Sequence, residues 1–230
     1  MNLFSALQAS TTLTTPVTPQ ISFSSALLSQ FELVSFAISI LSIYLFYSLI
    51  HRRNLHFERQ YRFFYDVSLA LKNLNSAKGL GADQNTQNDL HSIDGDLTNV
   101  HYYETEKSAV LFAILLIVPI VSAFAYLYIF YFLMKDFEDH ERMEDQILSN
   151  VKNVLRPMGA EFSFSRSDSA GEISYHSFWV YFLLTIVTLG LFESYWLYIL
   201  IREPNKHFRN QVQIEDRLIG AIASLAQTPG

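Results

Sequence analysis

A chain of 230 residues is long enough for one or two domains, but half of it is hydrophobic and its mean hydropathy is +0.17, values that a water-soluble globule rarely shows. The formal net charge of -6, from 16 basic and 22 acidic residues, leaves no basic face for nucleic acid and argues against it as a partner. Cysteine is absent, which removes disulfides, thiolate zinc sites, iron-sulfur ligation and cysteine nucleophiles from consideration.

Residues 1–26 read as an uncharged, Ser/Thr-rich tail, and the first charge in the chain is Glu32. A cleaved secretory signal needs a positive start and a short apolar run. Here the apolar run is long, at 27–50, so it is expected to be a retained span. An amphipathic helix is expected to follow it to residue 76, and 77–107 reads as a polar flexible linker. The second apolar segment, 108–134, holds 27 residues between Lys107 and Lys135 without a formal charge. Roughly 20 residues of helix cross a ~30 Å hydrocarbon core, so this segment is long enough to span. Pro119 sits near its middle and leaves open a second path, in which the segment turns back; each half would then reach only ~20 Å. A second amphipathic helix to residue 156, a polar linker at 157–177, a third span at 178–201 and a third amphipathic helix to 226 complete the reading. The expected fold is all-α: a polytopic membrane protein with three transmembrane helices, each followed by an amphipathic helix.

Lys and Arg next to the spans predict the orientation. No basic residue precedes the first span, whereas Arg52 and Arg53 follow it at once. The 51–107 loop holds seven basic residues, 135–177 holds five among nine acidic ones, and the C-terminal tail holds four. The lipid bilayer is therefore the expected surrounding, in a plasma membrane, with the N-terminus outside and the C-terminus cytoplasmic. Aromatic residues gather at the expected headgroup levels, among them Tyr44, Tyr47, Tyr131, Trp179, Tyr195 and Trp196.

The chain also repeats itself. The stretch from Lys135 aligns without a gap with the stretch from Lys206, matching Lys, Phe137 with Phe208, Glu144-Asp145 with Glu215-Asp216, and four aliphatic positions. A looser first copy shares His56-Phe57-x-x-Gln60 with His207-Phe208-x-x-Gln211. The unit is span, amphipathic helix, linker, used three times. Three crossings in alternating directions would place the second amphipathic helix on the opposite side from the other two. Because the polar faces are acidic or mixed, the apolar stripes are expected to pack against protein rather than adsorb to anionic lipid.

The third copy carries the most specific motif: Thr188-Leu189-Gly190-Leu191-Phe192, then Tyr195-Trp196-Leu197-Tyr198, then a polar helix with His207 and Glu215-Asp216. Over about 178–225 it resembles a family of small prokaryotic membrane domains of unknown function. The resemblance implies membrane residence and a bacterial or archaeal origin, and no activity. Thr188, Gly190, Tyr195 and Trp196 are the span-motif and interface positions it marks.

Few residues suggest chemistry. Glu193 is the single formal charge inside the third span, where an ionisable group is a functional candidate by default. Glu144 and Glu215 both follow the repeated Phe by seven residues and could share a metal or a proton on facing helices, although salt bridges are the commoner outcome. His140 and Glu144 are four apart on one helix face, and His56, His140 and His207 recur at the span exits. Without a visible third ligand or an HExxH motif they read as polar interfacial residues, so no metal, cofactor or catalytic site is assigned. The expected function is non-enzymatic: a structural or accessory subunit that forms a homo-oligomer or joins a larger membrane complex. The alternative is a small ion or proton channel, or a transporter component, using Glu193.

Overall fold

A computed structural model of the chain describes residues 23–79, 83–164 and 176–227. Among them the secondary structure is entirely helical: α1 (Phe23–Ala77), α2 (Gln84–Tyr103), α3 (Ala109–Ile117), α4 (Val121–Leu155), α5 (Phe178–Val187) and α6 (Leu191–Gln227). The chain divides into two compact units at Ser42/Ile43. In the first, α1 exposes Phe31, Leu33, Phe36 and Leu41. α1 is the one helix among the described residues that is long and apolar enough to cross a membrane. Residues 1–22 of the expected N-terminal tail lie outside the described residues, as does 165–175 of the expected 157–177 linker.

The second and third apolar segments, each expected as one transmembrane helix, are instead broken by a turn into two helices. α3 ends before Pro119. Proline disfavours helical backbone in the residue before it, and Val118 is extended, at φ -83° and ψ 115°. Ile120 then takes φ +69°, and α4 starts in the reverse direction. The ring of Phe112 lies 5.8 Å from Tyr128 and 5.3 Å from Phe132; in a straight helix Phe112 and Phe132 would be ~30 Å apart. The third segment does the same at Thr188–Gly190, where Leu189 has φ +52° and Gly190 has φ +92°, a conformation that glycine adopts without a Cβ penalty. Phe178 and Tyr181 of α5 come back onto Trp196 of α6, with ring centroids 5.4 and 5.7 Å apart.

A second difference concerns 77–107, expected as a flexible linker. Most of it is helix α2, capped at its start by the Asp83 carboxylate, which accepts from the Thr86 N–H at 3.0 Å. Leu90, Ile93, Leu97 and Val100, spaced three, four and three apart, are buried. That is the period of an amphipathic helix, carried by only four large apolar residues in a polar segment.

The second unit has two apolar layers. One unites α1, both hairpins and Trp196 through Phe46, Ile50, Ile129, Phe130, Leu133 and Ile199. The other joins α1, α2, α4 and α6 through Phe64, Leu71, Ile93, Leu148, Val151 and Leu218. Between them lies a small cluster of the repeated phenylalanines: Phe57 and Phe137, with Phe208 against them. This middle level carries the polar site.

Candidate metal centre

The three long helices each send an imidazole into the middle level: His56 from α1, His140 from α4 and His207 from α6. Their ring centroids form a nearly equilateral triangle, 5.1, 5.2 and 5.5 Å on its sides. Glu144, one turn after His140 on the same face of α4, completes the group. All four side chains are buried, and one donor atom from each lies within 4.8 Å of the others. His140 Nε2 is 3.3 Å from one Glu144 oxygen, and His207 Nε2 is 3.3 Å from the other. Metal–nitrogen bonds of ~2.0–2.1 Å in a tetrahedron place neighbouring donors ~3.3–3.4 Å apart, a separation that the two contacts to Glu144 match within a set whose members all lie within 4.8 Å.

The surroundings orient the donors. His140 Nδ1–H donates to a Glu104 carboxylate oxygen at 2.6 Å, which leaves Nε2 as the inward donor. Glu141 lies beside His207, with a carboxylate oxygen 3.5 Å from Nδ1. Phe57 stacks on the His140 ring at 4.2 Å, and Phe208 lies 4.3 Å from the His56 ring. Glu104 comes from the C-terminal cap of α2, and the loop behind it is pinned to α1. Arg53 Nη1 donates to the Thr105 carbonyl at 2.8 Å, and Asn54 Nδ2 donates to the Lys107 carbonyl at 2.7 Å. Arg53 also pairs with Asp136 of α4 at 2.8 Å.

Two features of the residues fit a cation. Among the described residues His56 Nε2 is buried with no hydrogen-bond partner, an arrangement that costs free energy unless something else binds there. The group also gathers three buried carboxylates, Glu104, Glu141 and Glu144, around imidazoles that are neutral when they ligate. Protons respond to the same imbalance in the metal-free protein. Burial drives His56 down to about 2. Burial also works against a charged His140, but Glu144 and Glu104 outweigh it and lift that residue to about 9. A divalent ion bound by three imidazoles and a carboxylate would hold the three helices together and offset two of the three carboxylate charges.

The residues singled out from sequence separate cleanly. His140, His207 and Glu144 come together, with His56 as the further ligand. Glu215 does not join them: its carboxylate accepts from Arg59 at 2.8 Å and from Gln60 at 2.7 Å. Glu144 and Glu215 thus do not form a facing acid pair; Glu215 makes a salt bridge, the commoner outcome for such acids, with Arg59 as its partner, and Glu144 joins a four-donor candidate site. Glu193 is hydrogen-bonded to the Tyr126 hydroxyl, linking the two hairpins. Thr188 and Gly190 form the turn of the second hairpin, where the Thr188 hydroxyl accepts from the Phe192 N–H at 3.0 Å. Trp196 is buried at the hairpin core, while Tyr195 is about half exposed.

The missing ligand was marked in the repeat. His56 and His207 both stand one residue before the repeated Phe, and in the second copy that position is Asp136. His140 is one turn further on, four residues after Asp136 and on the same helix face. Glu104 carries no comparable signal, because α2 lies outside the repeat.

A family model, Domain of unknown function (DUF4234), matches residues 176–224. That range coincides with α5 and nearly all of α6, one hairpin plus its amphipathic extension. Neither a curated protein nor a solved structure matches the chain.

Proposed function

We propose that this chain is a membrane-anchored protein that binds one divalent transition-metal ion of the zinc class and serves as a structural or accessory subunit. The observation that carries the reading is the buried set His56, His140, Glu144 and His207, drawn from three helices that are remote in sequence. Three imidazoles and a carboxylate are borderline ligands suited to Zn(II) among the divalent ions. Four protein donors also fill a tetrahedral shell, the pattern of structural rather than catalytic zinc. Membrane anchorage is supported by the apolar stretch of α1. The bond between Glu193 and Tyr126 favours a structural role for Glu193 over ion conduction. Assembly into a homo-oligomer or a larger membrane complex belongs to the same proposal, and light scattering of the detergent-solubilised protein tests it.

The direct test of the site is metal analysis. Protein extracted from membranes, loaded with zinc and desalted should carry one zinc per chain by plasma mass spectrometry. The variants His56→Ala and His207→Ala should lose it. Wild-type protein that retains no zinc, cobalt, manganese, nickel or iron above the buffer blank refutes the metal reading.

A further inference from the structure

We infer that the α3–α4 and α5–α6 hairpins are re-entrant lipid-binding wedges that enter and leave the bilayer from one face, so that everything after residue 50 outside them lies on a single side. The inference rests on the membrane reading above and is independent of metal binding.

Three observations converge. The first is length. α3 has 9 residues and α5 has 10, so each descending arm is ~14–15 Å long, about half of a ~30 Å hydrocarbon core. The second is that each hairpin begins and ends at the same level. Lys107, just before α3, is 3.7 Å from Asp136 on α4, and Arg53 at the end of the apolar part of α1 bonds the same Asp136. Phe178, which opens α5, has its ring 5.3 Å from Tyr131, one turn before Lys135. The meeting of His56, His140 and His207 in one triangle requires the same arrangement, since alternate crossings would carry His140 to the far side of the membrane.

The third observation is the chemistry of the tips. Ile120 is 82% exposed, Leu189 94% and Leu191 82%, and these apolar side chains are joined by Ile117, Phe124 and Val187; the nearby half-buried Glu193 is taken up by the Tyr126 hydroxyl. Irregular backbone in hydrocarbon is tolerated only when its polar groups are satisfied. Here the turns bond themselves: Val121 N–H donates to the Pro119 carbonyl, Ser122 to Val118, Leu189 to Ile186 and Gly190 to Thr185, while Pro119 has no N–H to satisfy. Acyl chains are thus the occupant that these tips fit. The distribution of basic residues agrees. The seven of 51–107, the five of 135–177 and the four of the C-terminal tail are all 16 in the chain, so in this arrangement every Lys and Arg among the described residues lies on one face. That is the extreme of the charge bias that marks the cytoplasmic side.

The absence of native cysteine makes the test direct. Single cysteines replace the exposed residues Ser92, Ser149 and Ala223, and the tip residues Ile120 and Leu189. Membrane vesicles of both orientations are then treated with a membrane-impermeant maleimide. All three polar-side positions should label in the same vesicle orientation and lose labelling in the other. The tip cysteines should be protected in both orientations and be quenched by spin labels on lipid acyl chains. Labelling of S149C from the side opposite to S92C, or of either tip from the far side, overturns the inference. So does disulfide cross-linking of the tip cysteines between copies in place of quenching, which would make the partner a second chain. Failure of the chain to sediment with membranes would instead defeat the anchorage on which this rests.

Discussion

Glu144 and Glu215 occupy the same position of the repeat and differ in where the bundle places them, which makes their Gln variants a controlled pair. If a metal binds only the folded state, the stabilisation is RT ln(1 + [L]/Kd), ~4.1 kcal/mol when free zinc is a thousandfold above Kd. For a protein of this size ~1 kcal/mol moves the melting temperature by ~2–4 °C, so chelation should lower the wild-type midpoint by ~8–16 °C. Glu144→Gln removes the anionic donor that sits 3.3 Å from two of the three imidazoles. If it costs about three decades of affinity, then at the same free zinc only RT ln 2 remains, ~0.4 kcal/mol, and the zinc-dependent shift nearly vanishes. Glu215→Gln breaks the pair with the half-exposed Arg59, worth ~1 kcal/mol or less, and the loss should be equal with zinc or with chelator. Thermal unfolding in detergent, followed in zinc-buffered solutions, reads both variants. An unchanged zinc shift in Glu144→Gln, or its disappearance in Glu215→Gln, would refute the assignment of ligands.

Glu104→Gln keeps the ligands but weakens the orienting bond to His140, so zinc affinity should fall ~10–100-fold while stoichiometry at saturating zinc stays one; competition with a fluorescent chelator measures it. The pH dependence has opposite signs with and without metal. In the metal-free protein His140 is raised from 6.5 to about 9, so the stability its ion pairs contribute is complete below 6.5 and disappears as pH rises through about 9. Zinc must displace that proton, so apparent affinity should rise with pH by about tenfold per unit from neutrality and level off near 9. A pH-independent affinity contradicts this. Tyr126→Phe leaves the Glu193 carboxyl without its bond between the hairpins and should cost ~1–3 kcal/mol of stability in detergent, without altering zinc content.

The sequence by itself determined that the chain is helical, that it holds three apolar segments, and that a unit built around His56-Phe57 and His207-Phe208 recurs, because hydrophobic runs and helical periodicity are local properties. It also held the α2 pattern of Leu90, Ile93, Leu97 and Val100, hidden by the polar residues around it. Whether an apolar segment goes on or turns back depends on two or three backbone angles. Pro119 biases Val118, yet the positive φ of Ile120 and Leu189 occurs in turns closed by their own hydrogen bonds and by the packing of Phe112 on Phe132 and of Tyr181 on Trp196. The site is decided at the same level. His56, His140 and His207 are separated by 84 and 67 residues, and Glu144 and Glu215 are equivalent by position. Only when both hairpins return their helices to one side do three imidazoles and one of those two carboxylates meet in a buried space where leaving them without a shared cation is costly.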